Sequence, residues 1–115
     1  MLIFCKSVFG VCFKMKKKSY KLSQLEKNRF SILTDDLNHC YICKNKRDNL
    51  HEVYEGSKRI LSMKYGCVLP LCYQCHVKIH YDRQMALFYK KLTQARFIIV
   101  YPNLNFLDIF KINYL

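Results

Sequence analysis

Two Cys-x-x-Cys pairs constrain this chain more than any other feature: Cys40/Cys43 in "CYIC" and Cys72/Cys75 in "CYQC". Each pair presents two thiols from one tight turn, and two such pairs complete a tetrahedral sulfur site for one zinc ion. Such a site ties together segments remote in sequence and closes the loop of residues 44–71 between them. That loop is longer than in common zinc ribbons, and an inserted hairpin accounts for the excess. Grouping Cys40 and Cys43 with His76 and His80 instead would put residues 44–75 between the pairs, against about a dozen in the familiar finger. It would also strand Cys72 and Cys75. A closed four-sulfur site holds a fold and leaves no position open for chemistry, so the zinc is expected to be structural. A redox Cys-x-x-Cys usually comes singly, which makes a thiol–disulfide protein the weaker alternative.

A chain of 115 residues makes one domain with a small core, which a structural metal would reinforce. With 51% hydrophobic and 15% aromatic residues, the composition is not that of a disordered protein. The seven cysteines are an odd number, with Cys5, Cys12 and Cys67 single. A secreted disulfide framework shows an even count behind a signal peptide, so the pairs point to zinc in a reducing, cytoplasmic compartment. The apolar start "MLIFCKSVFGVCF" has no basic n-region or small-residue cleavage site, and it is too short to span a bilayer. No membrane partner is expected. Residues 1–14 are expected to be an upstream extension ahead of Met15. Residues 1–19 as a whole are expected to be a poorly ordered apolar and basic extension to a domain at 20–115.

The net charge of +12, from 20 Lys+Arg against 8 Asp+Glu, points to a polyanionic partner, nucleic acid above all. Charge alone separates neither DNA from RNA nor a binder from an enzyme. Lys16, Lys17, Lys18, Lys21, Lys27, Arg29 and Lys58 are the candidate phosphate contacts.

Periodicity places the motifs. "KLSQLEKNRF" suits a short basic helix, "RFSIL" a strand, and "TDDLN" a turn before the first knuckle. "NLHEVYE" suits a strand, "EGSKR" a loop, and "KYGCVLPLC" a short apolar strand before the second knuckle. From Tyr73 the pattern turns helical, with Met85, Phe88, Leu92, Ala95 and Ile99 forming a stripe expected to pack on the core. "YPNLNFLDIF" opens with a turn and restarts a short helix.

His76 and His80 lie four apart, so on a helix they share one face a turn apart, a spacing that can chelate one divalent ion. The strand "NLHEVYE" adds His51 and Glu52 from inside the loop that the zinc closes. The stretch "LCYQCHVKIH" is therefore expected to serve two metals, with cysteines for structure and histidines for chemistry.

This order of strand, strand and helix around a four-cysteine zinc, with a strand histidine and two helix histidines, resembles the HNH (ββα-metal, His-Me finger) endonuclease superfamily. Over residues 40–80 the chain is similar to phage-associated HNH proteins related to RecA-dependent recombination-enhancement nucleases. In these an "LH(H/E)V…G..R..S.KYG…PLC..CH…H" run recurs. Gln94 to Phe97 and the ending "FLDIFKINYL" support the likeness, which spans about residues 20–115.

The resemblance implies a small α+β ββα-metal domain with a helical C-terminal tail. It implies a metal-dependent DNA endonuclease that hydrolyses phosphodiester bonds, is phage-derived and linked to recombination, and works in a bacterial or phage-infected cell. By position, Cys40, Cys43, Cys72 and Cys75 would be structural zinc ligands. His76 and His80 would hold a catalytic Mg²⁺ or another divalent ion. Arg59 would face the phosphate. His51 and Glu52 would form the strand motif in which a ligand precedes the base.

The chain departs from the pattern twice. The usual strand pair is His-His or Asp-His, so either His51 or Glu52 can be the base, with the neutral imidazole of His51 better suited near pH 7. The Asn of the family name has no counterpart before Cys72, and Cys67 lies near its position. A recombinase filament is a further expected partner. A non-catalytic, zinc-stabilised nucleic-acid-binding module is the alternative function.

Overall fold

A computed structural model describes residues 6–8, 11–13 and 20–115. Lys6–Val8 (β1) and Val11–Phe13 (β2) pair antiparallel, with Ser7 opposite Cys12. Otherwise the expected 1–19 extension lies outside the described residues, as do Lys16, Lys17 and Lys18. Tyr20–Lys27 (α1) is the short basic helix that "KLSQLEKNRF" suggests.

"RFSIL" does not form the expected strand. Ser31 Oγ accepts from the Leu33 amide and Thr34 Oγ1 from the Asp36 amide, local bonds that divert the backbone from a ladder. Ile32 is buried. Its amide donates to the Gly66 carbonyl at 2.9 Å, and its carbonyl accepts from Arg96 Nε at 2.9 Å.

The centre of the fold is an antiparallel pair, Asn49–Glu52 (β3) with Val68–Leu71 (β4), in which His51 faces Leu69 and Glu52 faces Val68. The bond from the Val53 amide to the Cys67 carbonyl sets the phase of the ladder. Leu50 and Pro70 then form a pair whose backbone groups point away from each other. Pro70, with no N–H, thus costs the ladder nothing, and its carbonyl accepts from the Tyr41 amide at 2.8 Å.

Between the strands, where the sequence suggests only a loop and the start of a strand, a 3₁₀ turn at Gly56–Lys58 leads into a helix, Arg59–Tyr65 (α2). Gly66 ends this helix at φ 76°, in the left-handed region. A Cβ there would also lie 2.4 Å from the Phe30 ring, so glycine is required twice over.

The helical pattern from Tyr73 is split. Tyr73–Tyr81 (α3) stops at Asp82, whose carboxylate accepts from the Met85 amide and caps Arg83–Val100 (α4). Asn105 caps a last short helix, Phe106–Phe110 (α5), as expected after the turn. The core is rich in aromatic residues: Tyr54, Phe97, Phe106 and Phe110 are buried against one another.

The stripe expected to pack on this core does so only in part: Met85 packs against it and Leu92 is half-buried, but Phe88, Ala95 and Ile99 are exposed. Phe88 is 58% exposed and Ile99 67%, while Thr93, Gln94 and Phe97 are the buried residues of α4. Polar side chains can take that face because they are satisfied there. Gln94 donates to Asn113 Oδ1 and accepts from the Tyr114 amide, and Thr93 donates to the Tyr89 carbonyl. Among the described residues, no helix is long and apolar enough to cross a membrane.

Candidate metal centres

The first cluster joins two knuckles. In the first, the Cys40 amide donates to the Asn45 carbonyl at 2.7 Å and the Lys44 amide to the Cys40 carbonyl, with Lys44 turned to φ 68°. In the second, Cys72 caps α3 and its sulfur accepts from the Cys75 amide at 3.4 Å. The four sulfurs of Cys40, Cys43, Cys72 and Cys75 all lie within 4.8 Å of one another, with Cys43 and Cys72 at 3.4 Å. Tetrahedral zinc with thiolates at ~2.3 Å separates its sulfurs by about 3.8 Å, so the group is of the right size to bind a metal such as zinc. At Cys40, burial alone would raise the thiol. Backbone amides of Cys43, Cys72 and Ile42 outweigh burial and bring it down to about 6, whereas burial and the neighbouring thiols push Cys75 up, so the metal-free cluster favours a thiolate at Cys40 first. Cys67, near the position of the missing Asn, is different: burial pushes its thiol up to about 12, and it sits in the core as a neutral side chain.

The second cluster begins one residue after Cys75. His76 and His80 project from one face of α3, and their Nε2 atoms are 3.0 Å apart. His51 reaches them from β3, its ring centroid 5.3 Å from that of His76 and 5.5 Å from that of His80. A nitrogen from each ring lies within 4.8 Å of the others. Ligands of a four-coordinate ion at ~2.05 Å are about 3.3 Å apart, so three imidazoles so placed can hold one ion. Burial, reinforced by the charges of His76, His80 and Lys90, pushes His51 down to about 4. Burial and His80 lower His76 as well. Neutral imidazoles keep their lone pairs for a metal.

Glu52 does not join this cluster, because successive strand residues point to opposite faces. Its carboxylate is 2.8 Å from Arg29 Nη2 and 3.5 Å from Arg59 Nε. Arg59 Nη2 in turn donates to Glu26 on α1 at 3.1 Å. The expected grouping of Glu52 and Arg59 with the histidines is therefore revised. Both belong to an ion-pair network, with Arg29 and Glu26, on the other face of β3. Arg29, expected to contact phosphate, is turned inward with its side chain 18% exposed. Lys21 and Lys27 are exposed on α1, and Lys58 is half-buried at the end of the 3₁₀ turn.

Two residues beside the histidines were not singled out from the sequence. Lys90 on α4 acts electrostatically on His51; its carbonyl accepts from Tyr54 Oη and its ammonium lies over the Tyr114 ring. Glu55, just beyond β3, brings Oε1 to 3.5 Å from His51 Nε2 and 3.9 Å from His80 Nδ1. The His-x-x-x-Glu spacing of "HEVYE" was the available signal for Glu55. Lys90 had none, since its approach depends on how α4 packs.

Compared with known proteins, the chain matches no family model, no curated protein and no solved structure.

Proposed function

We propose that this chain is a metal-dependent endonuclease of the HNH (ββα-metal) type, hydrolysing phosphodiester bonds in DNA. One observation carries the reading: His51 from β3 and His76 and His80 from α3 converge on one point, next to a four-cysteine cluster that anchors the same helix. In this reading the three histidines hold one divalent ion and the cysteines a structural zinc. When bound, the ion supplies Lewis-acid stabilisation of charge on a phosphate and lowers the pKa of a coordinated water.

The surrounding residues divide the remaining tasks. His51 acts as a ligand, which removes it from the role of base. Glu52 is engaged by two arginines on the other face of β3, away from the histidines. Lys90, whose charge reaches His51, is a candidate to draw a phosphate toward the histidines, a role the sequence had suggested for Arg59. The exposed edge of His80 leaves that side accessible to a substrate. The net charge of +12 supports non-specific affinity for a polyanion that weakens with salt. A phage-linked role in recombination, a recombinase-filament partner and a cytoplasmic location rest on the sequence resemblance.

The engagement of Glu52 and Arg59 favours a second reading, a zinc-stabilised DNA-binding module without catalysis. Cleavage of plasmid and single-stranded DNA with Mg²⁺, Mn²⁺ or Ni²⁺, with and without a recombinase filament, separates the two. Cleavage by the wild type and not by His76→Ala, with folding retained, supports the nuclease. DNA binding with no cleavage in any condition leaves the binding module.

A further inference from the structure

The geometry points to Glu55 as a fourth ligand of the histidine cluster, which makes this a site for a first-row transition ion rather than for Mg²⁺. The inference rests on the metal-site reading of His51, His76 and His80 and adds to it the remaining donor and the class of ion.

Glu55 stands apart from its neighbouring carboxylates. In a chain with 20 Lys+Arg against 8 Asp+Glu, an acidic side chain readily finds a cation. Glu52 and Glu26 have done so, at Arg29 and Arg59. Glu55 has not: among the described residues its ion-pair contacts are with His51 and His80 alone. Its side chain is 52% exposed, so nothing in the core holds it there.

The distances fit ligands better than hydrogen bonds. At 3.5 Å and 3.9 Å the carboxylate is at or beyond the limit of a useful hydrogen bond to either ring. Adjacent ligand atoms around a shared ion stand about 2.9 Å apart in six-coordination and about 3.3 Å in four, and a small closing motion of an exposed side chain covers the difference. Charge balance argues the same way. Three imidazole ligands alone would leave a dication with no countercharge, and one carboxylate halves the excess.

The donor set then selects the ion. Imidazole favours Mn²⁺ through Zn²⁺ along the first row, whereas Mg²⁺ keeps oxygen donors and most of its waters. Three histidines and one carboxylate occupy four positions of a six-coordinate ion and leave room for a phosphate oxygen and a water.

The test uses the whole chain with zinc already in the cysteine cluster, titrated with Co²⁺ and followed by ligand-field absorption and calorimetry, with Mg²⁺ in parallel. The expected result is one Co²⁺ per chain bound at least about 100-fold more tightly than Mg²⁺. Glu55→Gln is expected to weaken Co²⁺ at least about tenfold and to shift the ligand-field band, while Glu55→Asp keeps part of the affinity. Retained zinc and an unchanged far-UV spectrum show that the variants are folded. Wild-type affinity in Glu55→Gln, or a weaker affinity with the band unmoved, overturns the inference and leaves the three-histidine reading intact. Co²⁺ binding no tighter than Mg²⁺ overturns the choice of ion. If neither the wild type nor His76→Ala binds Co²⁺, the metal-site reading itself falls, and this inference with it.

Discussion

Two clusters of metal-type ligands meet at adjacent residues of α3, Cys75 and His76, yet they face different worlds. Around the cysteines, Cys40, Cys72 and Cys75 are buried, Cys43 is exposed, and backbone amides point at sulfur. Around the histidines, His51 is buried, His76 half-buried and His80 exposed. The first arrangement is buried at every ligand but Cys43. The second opens toward solvent more widely, through both His76 and His80. One helix carries both because the knuckle fixes its first turn and a further turn then brings His80 above His76. The difference shows how a small domain places two groups of ligands side by side on one helix: the cysteines adjoin the histidines without sharing a ligand.

The sharpest way to break this comparison is to remove one cysteine. A structural zinc contributes about 10–16 kcal/mol of apparent binding free energy, comparable to the whole stability of a domain. Cys72→Ser is therefore expected to abolish cooperative unfolding and most far-UV structure, whereas His76→Ala keeps both. Thermal melts followed by circular dichroism distinguish them.

Acidification probes the other cluster. His51 is at about 4 in the fold, against the ordinary 6.5. Between these values the unfolded chain binds a proton that the metal-free fold excludes. The contribution is present above pH 6.5, declines as pH falls toward 4, and flattens below that. Its upper size is about 3 kcal/mol. With the histidine cluster metal-free, urea titrations across this window are expected to show a steeper loss for wild type than for His51→Gln. Equal slopes would mean that His51 is not held neutral by burial.

The smallest effect concerns the reverse face of β3. Glu52→Ala leaves Arg29 and Arg59 without their shared carboxylate and is expected to cost about 1–3 kcal/mol in urea unfolding. Co²⁺ affinity at the histidines should stay unchanged, since Glu52 points away from them. A loss of metal binding in this variant would return Glu52 to the site and undo the separation of the two faces.

The ligands were legible in the sequence because their spacing is local. Cys-x-x-Cys needs only a tight turn, and His-x-x-x-His needs only a helix. The pairing of the two knuckles was legible too, since it left no cysteine of either pair unused. What the sequence hid depends on contacts between elements. Glu52 reads as a neighbour of His51, yet pleating sends it to Arg29. The stripe through Phe88 and Ile99 is apolar, but bonds from Gln94 to Asn113 and Tyr114 turn another face of α4 inward. The helix Arg59–Tyr65 is too short for periodicity to reveal, and its end is set by the fit of Gly66 against Phe30.

The position of Pro70 has a consequence for how copies of this chain behave toward one another. A two-stranded sheet has two open edges, and an open edge can template strand addition from a neighbouring molecule. Along the outer edge of β4, Pro70 offers no N–H, and its carbonyl is already taken by Tyr41. The sheet that carries His51 is thereby blunted against edge-to-edge aggregation at the point where a second strand would otherwise begin to zip.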